Sequence, residues 1–134
     1  MSDPTVLRAR TIAPGRATGV ALVSPRPISF FGGVDAETGV VTEPGHPLEG
    51  QSVAGRVLVF PAGKGSTVGS YTLYRLARSG RAPLALVLSD CETIVAVGAI
   101  IGEIPCVDHV PIEAIATGAH VEVDADRGTV TLGG

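Results

Sequence analysis

Short apolar runs alternate with segments of helical spacing in the middle of the sequence, and this order restricts the fold more than any other feature. Residues 56–60 form a compact β-branched run that ends at Pro61, and residues 84–88 are apolar without alternation, as in a strand covered on both faces. Residues 104–107 form a third short strand. Because helical segments separate these strands, the sequence predicts an α/β fold with a parallel βαβαβ centre.

The two helical segments have recognisable ends. In the first, Leu73, Leu76 and Ala77 share one face, and Gly80 is a natural stop. The second helix is predicted over residues 90–101. Its first residues include acidic side chains and a threonine, which favours capping of the helix over acid–base chemistry there.

Antiparallel hairpins are predicted on both sides of this centre. The first pairs residues 6–12 with residues 17–23 across a Pro-Gly turn. The last pairs residues 120–123 with residues 129–132, and a helical turn is expected before it, over residues 111–117. The predicted architecture is therefore a parallel centre flanked by antiparallel hairpins.

Length and composition exclude several classes of protein. A chain of 134 residues corresponds to one domain, predicted here over residues 1–134. Hydrophobic residues make up 45% and charged residues 17%, so the chain is too apolar to be disordered. The net charge of −3 gives no basic excess for a phosphate backbone, which argues against nucleic acid as a partner.

The sequence also argues against a membrane location. No apolar stretch approaches the roughly 20 residues of a membrane span, so a membrane partner is not expected. The first residues lack the basic region and apolar stretch of a secretion signal, so we expect a cytoplasmic protein.

The two cysteines and three histidines do not form a metal-binding pattern. Cys91 and Cys106 fall short of the four ligands typical of a structural zinc or iron–sulfur site, so no metal ligands are predicted on this chain. Both thiols are expected to be reduced in the cytoplasm. His46, His109 and His120 lack helical ligand spacing, and each is interpreted as structural or solvated.

A glycine-rich segment lies between the first central strand and the first helix. Its residues are Gly63, Lys64, Gly65, Ser66 and Thr67. Such a junction offers unpaired backbone N–H groups and the positive end of the helix dipole, so an anion is expected to bind there. The segment is not a Walker A loop, because a glycine separates its lysine from its serine, and nucleotide hydrolysis is not supported.

A second interpretation of this segment is simpler. Ser66 or Thr67 would cap the helix and the glycines would form a turn, and from the residues alone this interpretation is favoured. Lys64 adds weight to anion binding, because it is the only lysine among 10 basic residues.

An aromatic and turn-rich arm precedes a loop that is predicted over residues 44–56. Phe30 and Phe31 lie between prolines and glycines in a chain with only 4% aromatic residues, which indicates a partner surface, with burial in the core as the alternative. Asp35 and Glu37 are assigned to turns rather than to acid–base catalysis.

Several segments together resemble the small, swivel-domain subunit of the aconitase X family, from about the first hairpin to Val107. These segments are residues 28–35 (ISFFGGVD), 46–48 (HPL), 55–61 (GRVLVFP), 63–71 (GKGSTVGSY) and 98–100 (GAI). The resemblance implies a swivelling β/β/α fold and a hydro-lyase built as a heterodimer or larger assembly. It also implies a separate, much larger subunit that carries an iron–sulfur cluster on its own cysteines, so that this chain itself holds no cofactor.

The resemblance assigns roles within the glycine-rich segment. In aconitase-like enzymes the first serine of a Gly-Ser-Ser segment acts as the base, and Ser66 occupies the matching place. Gly63, Lys64, Gly65 and Thr67 are then expected to contact a small hydroxy-acid substrate. Thr67 stands where those enzymes have a second serine, and Val68 and Gly69 stand near the place of an arginine.

Three functional interpretations follow. The family divides between dehydration of cis-3-hydroxy-L-proline and dehydration of mevalonate 5-phosphate. Abundant alanine, glycine, valine and arginine with one lysine indicate a GC-rich genome, which favours the bacterial hydroxyproline enzyme; phosphomevalonate is the alternative. The third interpretation is a non-catalytic anion-binding or regulatory module in which Ser66 is only a cap.

Overall fold

Eight strands form a mixed sheet in the computed structural model, which describes residues 4–133. The strands are β1 (Thr5–Arg8), β2 (Arg10–Ala13), β3 (Arg16–Val23), β4 (Val57–Phe60), β5 (Ala85–Leu88), β6 (Cys106–Asp108), β7 (His120–Asp124) and β8 (Thr129–Leu132). The helices are the kinked single turn α1 (Phe30–Gly33), α2 (Gly69–Arg78) and α3 (Thr93–Gly102), with a 3₁₀ turn over Ile112–Ala114. The spatial order of the strands is β1-β8-β7-β3-β4-β5-β6-β2.

The predicted parallel centre is confirmed. Strands β4, β5 and β6 are parallel neighbours, joined in turn by α2 and α3, and β3 adds a further parallel strand beside β4. The carboxyl ends of β4, β5 and β6 therefore lie at one edge of the sheet. The turns that follow these three strands meet at that edge, because the Asp90 N–H donates to the Pro61 carbonyl and the His109 N–H donates to the Ser89 carbonyl.

The central strands are buried on both faces, and alternate residues serve two separate cores. One face packs under α2 and α3 through Leu58, Phe60, Leu86, Leu88 and Cys106. The other face packs against residues of β7 and β8 through Val57, Val59, Ala85, Val87 and Val107. The layers are thus an antiparallel ribbon, a parallel sheet and a pair of helices, in agreement with the β/β/α arrangement.

The two helices approach each other closely at one glycine. A Cβ atom added to Gly98 of α3 would lie 2.6 Å from Cδ1 and 2.9 Å from Cβ of Leu73 in α2. The Ser70 hydroxyl of α2 also donates to the Ile94 carbonyl of α3, at 2.6 Å. Contact at this distance fixes both helices on the sheet, and with them the segment that leads into α2.

The predicted opening hairpin is wrong. Residues 6–12 divide into two strands at Ala9, whose N–H donates to the Gly128 carbonyl at 2.8 Å. Strand β1 then pairs with β8, and β2 pairs with β6, while β3 pairs with β4 and β7. The residue pattern identified extended chain there, but alternation does not specify which strand becomes the partner.

The remaining elements lie close to their predicted places. The final hairpin is confirmed, with Val123 opposite Val130 in the pairing of β7 and β8. Ser52, within the predicted loop over residues 44–56, forms an isolated antiparallel bridge with Val40, which precedes the loop. Among the residues that the structure describes, no helix has the length and apolar character needed to cross a membrane.

Candidate active site

The glycine-rich segment, residues 63–67, lies between β4 and α2 at the carboxyl edge of the parallel strands. Its first residue is held from two sides. The Gly63 N–H donates to Oε1 of Glu92 at 3.1 Å, and Gly63 forms an isolated parallel bridge with Ile28. The Lys64 N–H donates to the Ile28 carbonyl at 3.1 Å. The segment thus starts from a fixed position between the arm before α1 and the beginning of α3.

Glu92 has a double function at this edge. It is the N-cap of α3, and its carboxylate accepts hydrogen bonds from the N–H groups of Ile94 at 2.7 Å and Val95 at 3.3 Å. The same carboxylate binds Gly63. The predicted capping role of residues 90–93 is confirmed, and the link from the cap to the glycine-rich segment is an addition that spacing did not indicate.

Glycine is required at the turn of the segment. Gly65 has a φ of +87°, which L side chains rarely adopt, and an added Cβ would lie 2.6 Å from Oγ of Ser29. The Ser29 hydroxyl in turn donates to the Phe31 carbonyl at 2.9 Å. The segment therefore turns tightly against the arm and presents the next residue outward.

Ser66 is that next residue, and its side chain is exposed. Its Oγ accepts a hydrogen bond from the Val68 N–H at 3.1 Å, and its carbonyl accepts from the Gly69 N–H at 2.9 Å. Helix α2 begins at Gly69 with Val68 as its N-cap, so neither Ser66 nor Thr67 is the N-cap residue that the favoured, simpler interpretation of the segment predicted. The Ser66 hydroxyl instead stabilises the turn before the helix.

Backbone donors surround the serine. Among residues 4–133, the N–H groups of Gly65, Ser66 and Thr67 have no protein acceptor. They precede α2, a helix of ten residues whose dipole places partial positive charge at this end. Such an arrangement can bind an anion or stabilise negative charge that develops on the Ser66 oxygen.

Lys64 is held by an acidic residue of the neighbouring loop. Its Nζ lies 3.2 Å from Oε2 of Glu43, in a pair in which the Lys64 side chain is 45% exposed and the Glu43 side chain 24% exposed. The lysine therefore stands beside Ser66 in a defined place. Because the pair is partly solvated, an anion of higher charge can compete with Glu43 for the ammonium group.

The aromatic pair divides between core and surface. Phe30 is buried and packs edge-on against Phe60, with ring centroids 5.9 Å apart, and Val34 is also buried. Phe31 is 52% exposed. Of the two rings predicted as a partner surface, Phe30 instead lies in the core, which was the stated alternative, and Phe31 is exposed, because the kink in α1 turns one ring inward and leaves the other in solvent.

Phe31 is part of a larger exposed apolar group beside the glycine-rich segment. We define the apolar rim as Phe31, Val68 and Tyr71, which are all large hydrophobic residues exposed to solvent. The Val68 N–H donates to Oγ of Ser66. A Cβ atom added to Gly69 would lie 3.5 Å from the backbone nitrogen of Phe31. Val68 of the rim thus contacts Ser66, and the Phe31 backbone lies against the start of α2.

A second polar group occupies the same edge of the sheet. Asp108 at the end of β6 is buried and receives two hydrogen bonds from Arg10, at 2.9 and 2.7 Å, and one from the Cys91 N–H at 2.8 Å. Burial alone would raise the pKa of Asp108, but the bonds from Arg10 and Cys91 and the charges of Arg10 and His109 hold that pKa below its usual value.

This group contains acidic and imidazole ligands, but it is organised as an ion pair. Oxygen or nitrogen atoms of Asp90, Asp108 and His109 lie within 4.8 Å of one another. Both Asp108 oxygens already accept hydrogen bonds from protein donors. The arrangement joins β2 to β6, and its chemistry is that of a structural salt bridge.

The histidines have the roles assigned to them. The buried His46 ring lies 3.0 Å from the Pro27 carbonyl through Nε2, and its Nδ1 accepts the Leu48 N–H at 3.0 Å, so it is structural. His109 and His120 are exposed.

The structure brings the five predicted site residues together and adds three others. Gly63, Lys64, Gly65, Ser66 and Thr67 form one continuous turn. The additional residues are Ser29, Glu43 and Glu92, which touch Gly65, Lys64 and Gly63. Ser29 lies within a segment that carried the family resemblance, whereas Glu43 lies just before the loop predicted over residues 44–56 and was assigned no role.

Comparisons with known proteins agree with this architecture. The family model for the aconitase X swivel domain matches residues 6–132. The "Phosphomevalonate dehydratase small subunit" of Thermococcus kodakarensis is 52% identical over 126 residues, which cover 94% of this chain and 95% of that protein. The protein of the same name from Methanocella arvoryzae is 53% identical over 129 residues and is covered to 98%.

A solved structure shows the same fold. The crystal structure of Thermococcus kodakaraensis aconitase X in its holo-form contains a chain that superposes with a TM-score of 0.95 at 51% identity. The match covers 97% of this chain and 99% of that one. The similarity thus extends over nearly the full length of both chains.

Proposed function

The chain belongs to the aconitase X swivel-domain family, and from this premise we propose that it is the small subunit of a two-subunit dehydratase that acts on mevalonate 5-phosphate. The observation that carries the proposal is the exposed Ser66 hydroxyl before α2, beside the N–H groups of Gly65, Ser66 and Thr67, which have no acceptor within residues 4–133. We further propose that residues 1–134 form a single swivel domain. Its cytoplasmic location stays a prediction.

Ser66 is proposed as the base that removes a proton from the substrate. A serine hydroxyl is a weak base in water, so its deprotonated form must be stabilised by nearby donors. The Val68 N–H already points at Oγ from 3.1 Å, and the unpaired N–H groups of residues 65–67 and the helix dipole add to it. These donors would stabilise the alkoxide at Oγ before it takes the proton.

Water must leave this site before the serine can act as a base. The Ser66 side chain is exposed in the isolated chain, and the chain does not enclose it. We propose that the large subunit covers the glycine-rich segment and packs against the apolar rim formed by Phe31, Val68 and Tyr71. Exposed apolar side chains are favourable to bury against a partner, and their burial here would dehydrate Ser66.

The substrate assignment rests on the relatives. Composition favoured cis-3-hydroxy-L-proline, but the relatives compared above are named phosphomevalonate dehydratase small subunits and give no support to hydroxyproline. A phosphate also suits the site. Lys64 and the free N–H groups of residues 65–67 offer the charge and the donors that a phosphate or carboxylate would use.

The iron–sulfur centre that the family implies is proposed to lie on the large subunit. The chain has two cysteines, Cys91 and Cys106, and Cys106 is buried within β6. Two thiols do not complete the ligand set of a cluster, so the residues of this chain do not fit it.

The test is a dehydratase assay of the reconstituted pair. The chain and its large subunit are purified together and assayed on mevalonate 5-phosphate and on cis-3-hydroxy-L-proline. Turnover of the phosphate ester with no turnover of the amino acid is expected. The reverse preference would overturn the substrate assignment, and a colourless chain that binds no large subunit would favour the regulatory-module interpretation.

A further inference from the structure

An ion pair between β2 and β6 is linked to the glycine-rich segment through a single turn of the chain. Arg10 and Asp108 lie opposite each other in the register of these two strands. The Arg10 guanidinium donates from Nε to Oδ1 of Asp108 at 2.9 Å and from Nη2 to Oδ2 at 2.7 Å. The Asp108 side chain is fully buried, whereas that of Arg10 is half exposed. The arginine therefore fixes the orientation of a carboxylate inside the sheet edge at which the site lies.

The turn between β5 and α3 is held by the same carboxylate. Oδ2 of Asp108 also accepts the Cys91 N–H at 2.8 Å. Glu92 is the next residue along the chain, and its Oε1 accepts the Gly63 N–H at 3.1 Å. The residue whose backbone Asp108 holds is thus joined directly to the residue that holds the first glycine of the segment.

Backbone bonds connect the three turns at this edge. The Asp90 N–H donates to the Pro61 carbonyl at 3.1 Å, and the His109 N–H donates to the Ser89 carbonyl at 3.0 Å. His109 follows Asp108 directly and has a φ of +60°, which a residue other than glycine adopts only at a cost in free energy. Such a backbone persists where the surrounding bonds hold it, and the bonds here come from the ion pair and from the neighbouring turn.

We propose that Arg10 and Asp108 are positioning residues for Ser66. They act through the backbone of Cys91 and the carboxylate of Glu92, which fix the start of the segment. The inference rests on the proposed dehydratase function, because the exact place of the serine matters to catalysis only where Ser66 removes a proton. A displacement of about 1 Å at a reacting group can lower turnover by about 10²-fold.

Loss of the ion pair would act on the chemical step more than on binding. Without the oriented carboxylate of Asp108, the Cys91 N–H loses its acceptor and the backbone before Glu92 can move. The bond from Gly63 to Glu92 then weakens, and the segment no longer holds one position. The substrate would still meet the same donors, so KM should change less than kcat.

The first variant is Arg10→Gln, because this side chain is half exposed and its replacement leaves the core packed. In the isolated chain, amide exchange at Gly63 and Cys91 should accelerate by about 10-fold relative to the amides of β7 and β8, which report on the fold as a whole. In the enzyme reconstituted with its large subunit, kcat should fall by about 10-fold or more, while KM for mevalonate 5-phosphate changes by less than about threefold.

Three further variants complete the series. Asp108→Leu removes the acceptor itself and should show the same pattern with a larger effect. Arg10→Lys keeps the charge and one donor, so it should recover most of the lost kcat. Arg16→Gln is the matched control, because Arg16 is an exposed arginine that pairs with the buried Asp124 at 3.5 Å, at the end of the sheet away from Ser66. This control should keep the wild-type kcat and the wild-type exchange at Gly63.

The proposal is overturned if Arg10→Gln and Asp108→Leu keep the wild-type exchange rate at Gly63, or if exchange accelerates equally at all amides. In the second case only the fold as a whole has loosened. Wild-type kcat in both variants would overturn it as well. Because exchange is measured without turnover, the two proposals fail separately: a wild-type enzyme that dehydrates neither substrate counts against the proposed function, and unchanged exchange at Gly63 counts against the positioning.

Discussion

The Glu92 carboxylate and the Gly63 backbone are joined by a hydrogen bond of 3.1 Å, which ties the start of α3 to the segment that carries Ser66. The same carboxylate accepts from Ile94 and Val95. A single side chain therefore stabilises a helix and fixes the first residue of the candidate site. Its removal should affect both.

For Glu92→Ala we expect a loss of about 1–2 kcal/mol in the free energy of unfolding, because three backbone donors lose their acceptor. Amide exchange at Gly63 should also accelerate. Urea denaturation and hydrogen exchange measure the two effects. Glu37→Ala, at an exposed turn, is the control and should change neither; equal effects in both variants would contradict the role of Glu92.

Ser66→Ala distinguishes a base from a turn-stabilising hydroxyl. If Ser66 is the base, the substitution should lower kcat by about 10²-fold or more and leave the assembly of the two subunits intact. Loss of its bond to Val68 alone should cost on the order of 1 kcal/mol of stability and leave turnover nearly intact. Steady-state kinetics of the reconstituted enzyme decide between these outcomes.

Thr67→Ala is the matched control for that measurement. It removes an exposed neighbouring hydroxyl that is not assigned as the base. Equal losses of kcat at positions 66 and 67 would show that the shape of the segment matters and that neither hydroxyl alone is the base.

The Asp108 ion pair predicts a dependence of stability on pH. The pKa of Asp108 is lowered in the folded state, so its contribution is fully present above the unfolded value of about 3.9 and is lost as pH falls towards the folded value. Urea denaturation from pH 7 to pH 3 should show this loss. Asp108→Asn should cost about 2–3 kcal/mol at pH 7 and reduce the pH dependence.

Asp90→Asn provides the comparison for this prediction. Asp90 lies at the same edge, but its side chain is 84% exposed, so the substitution should change stability little at any pH. A pH dependence in Asp108→Asn equal to that of wild type would show that another group is responsible.

Phe31→Ser tests the apolar rim. The ring is half exposed in the isolated chain, so the substitution should barely change its stability. If the large subunit covers the ring, affinity between the subunits should fall by about 10-fold or more, since burial of a phenyl ring contributes about 1.5–3 kcal/mol. Val6→Ser, at a similarly exposed residue of β1, is the control. If binding titrations give wild-type affinity for both variants, Phe31 does not lie in the interface.

Gly98→Ala tests the close approach of α2 and α3. The added methyl group would overlap Leu73, so we expect destabilisation of about 1–3 kcal/mol by thermal or chemical denaturation. Gly102→Ala lies in the same helix, where an added Cβ has ordinary contacts of 3.4 Å, and it should be near neutral. Because alanine favours the helix over glycine at both positions, equal changes in stability would show that the contact of Gly98 with Leu73 does not limit the packing of the helices.

The centre of the fold was predicted correctly from the sequence because strands that are apolar on both faces have few possible ways to pair. A run such as residues 84–88 is apolar throughout, so neither face of the strand can be exposed to solvent. Because a helix or turn signal follows each run, the strands pair in parallel. The opening strands were harder. Their partners β6 and β8 lie about a hundred residues away, and no local turn specifies such pairings.

In the candidate site, too, features set by neighbouring residues were predicted, whereas contacts between residues distant in the sequence were not. Residues 63–67 were found from their own spacing at a strand–helix junction. Glu43 reaches Lys64 only because the intervening chain folds back, and the inward turn of Phe30 depends on the kink in α1. Neither relation has a signature in neighbouring residues, so both required the structure.

The spacing of the two fixed glycines limits how this segment can diversify. A side chain at Gly63 would meet Glu92 at 2.5 Å, and one at Gly65 would meet Ser29 at 2.6 Å, so these two positions are closed to change. Residues 64 and 67 are exposed and remain open, whereas Ser66 is the proposed base and must be kept. A mutational library that aims at a new substrate is therefore best restricted to positions 64 and 67 and to the surface of the large subunit that faces them.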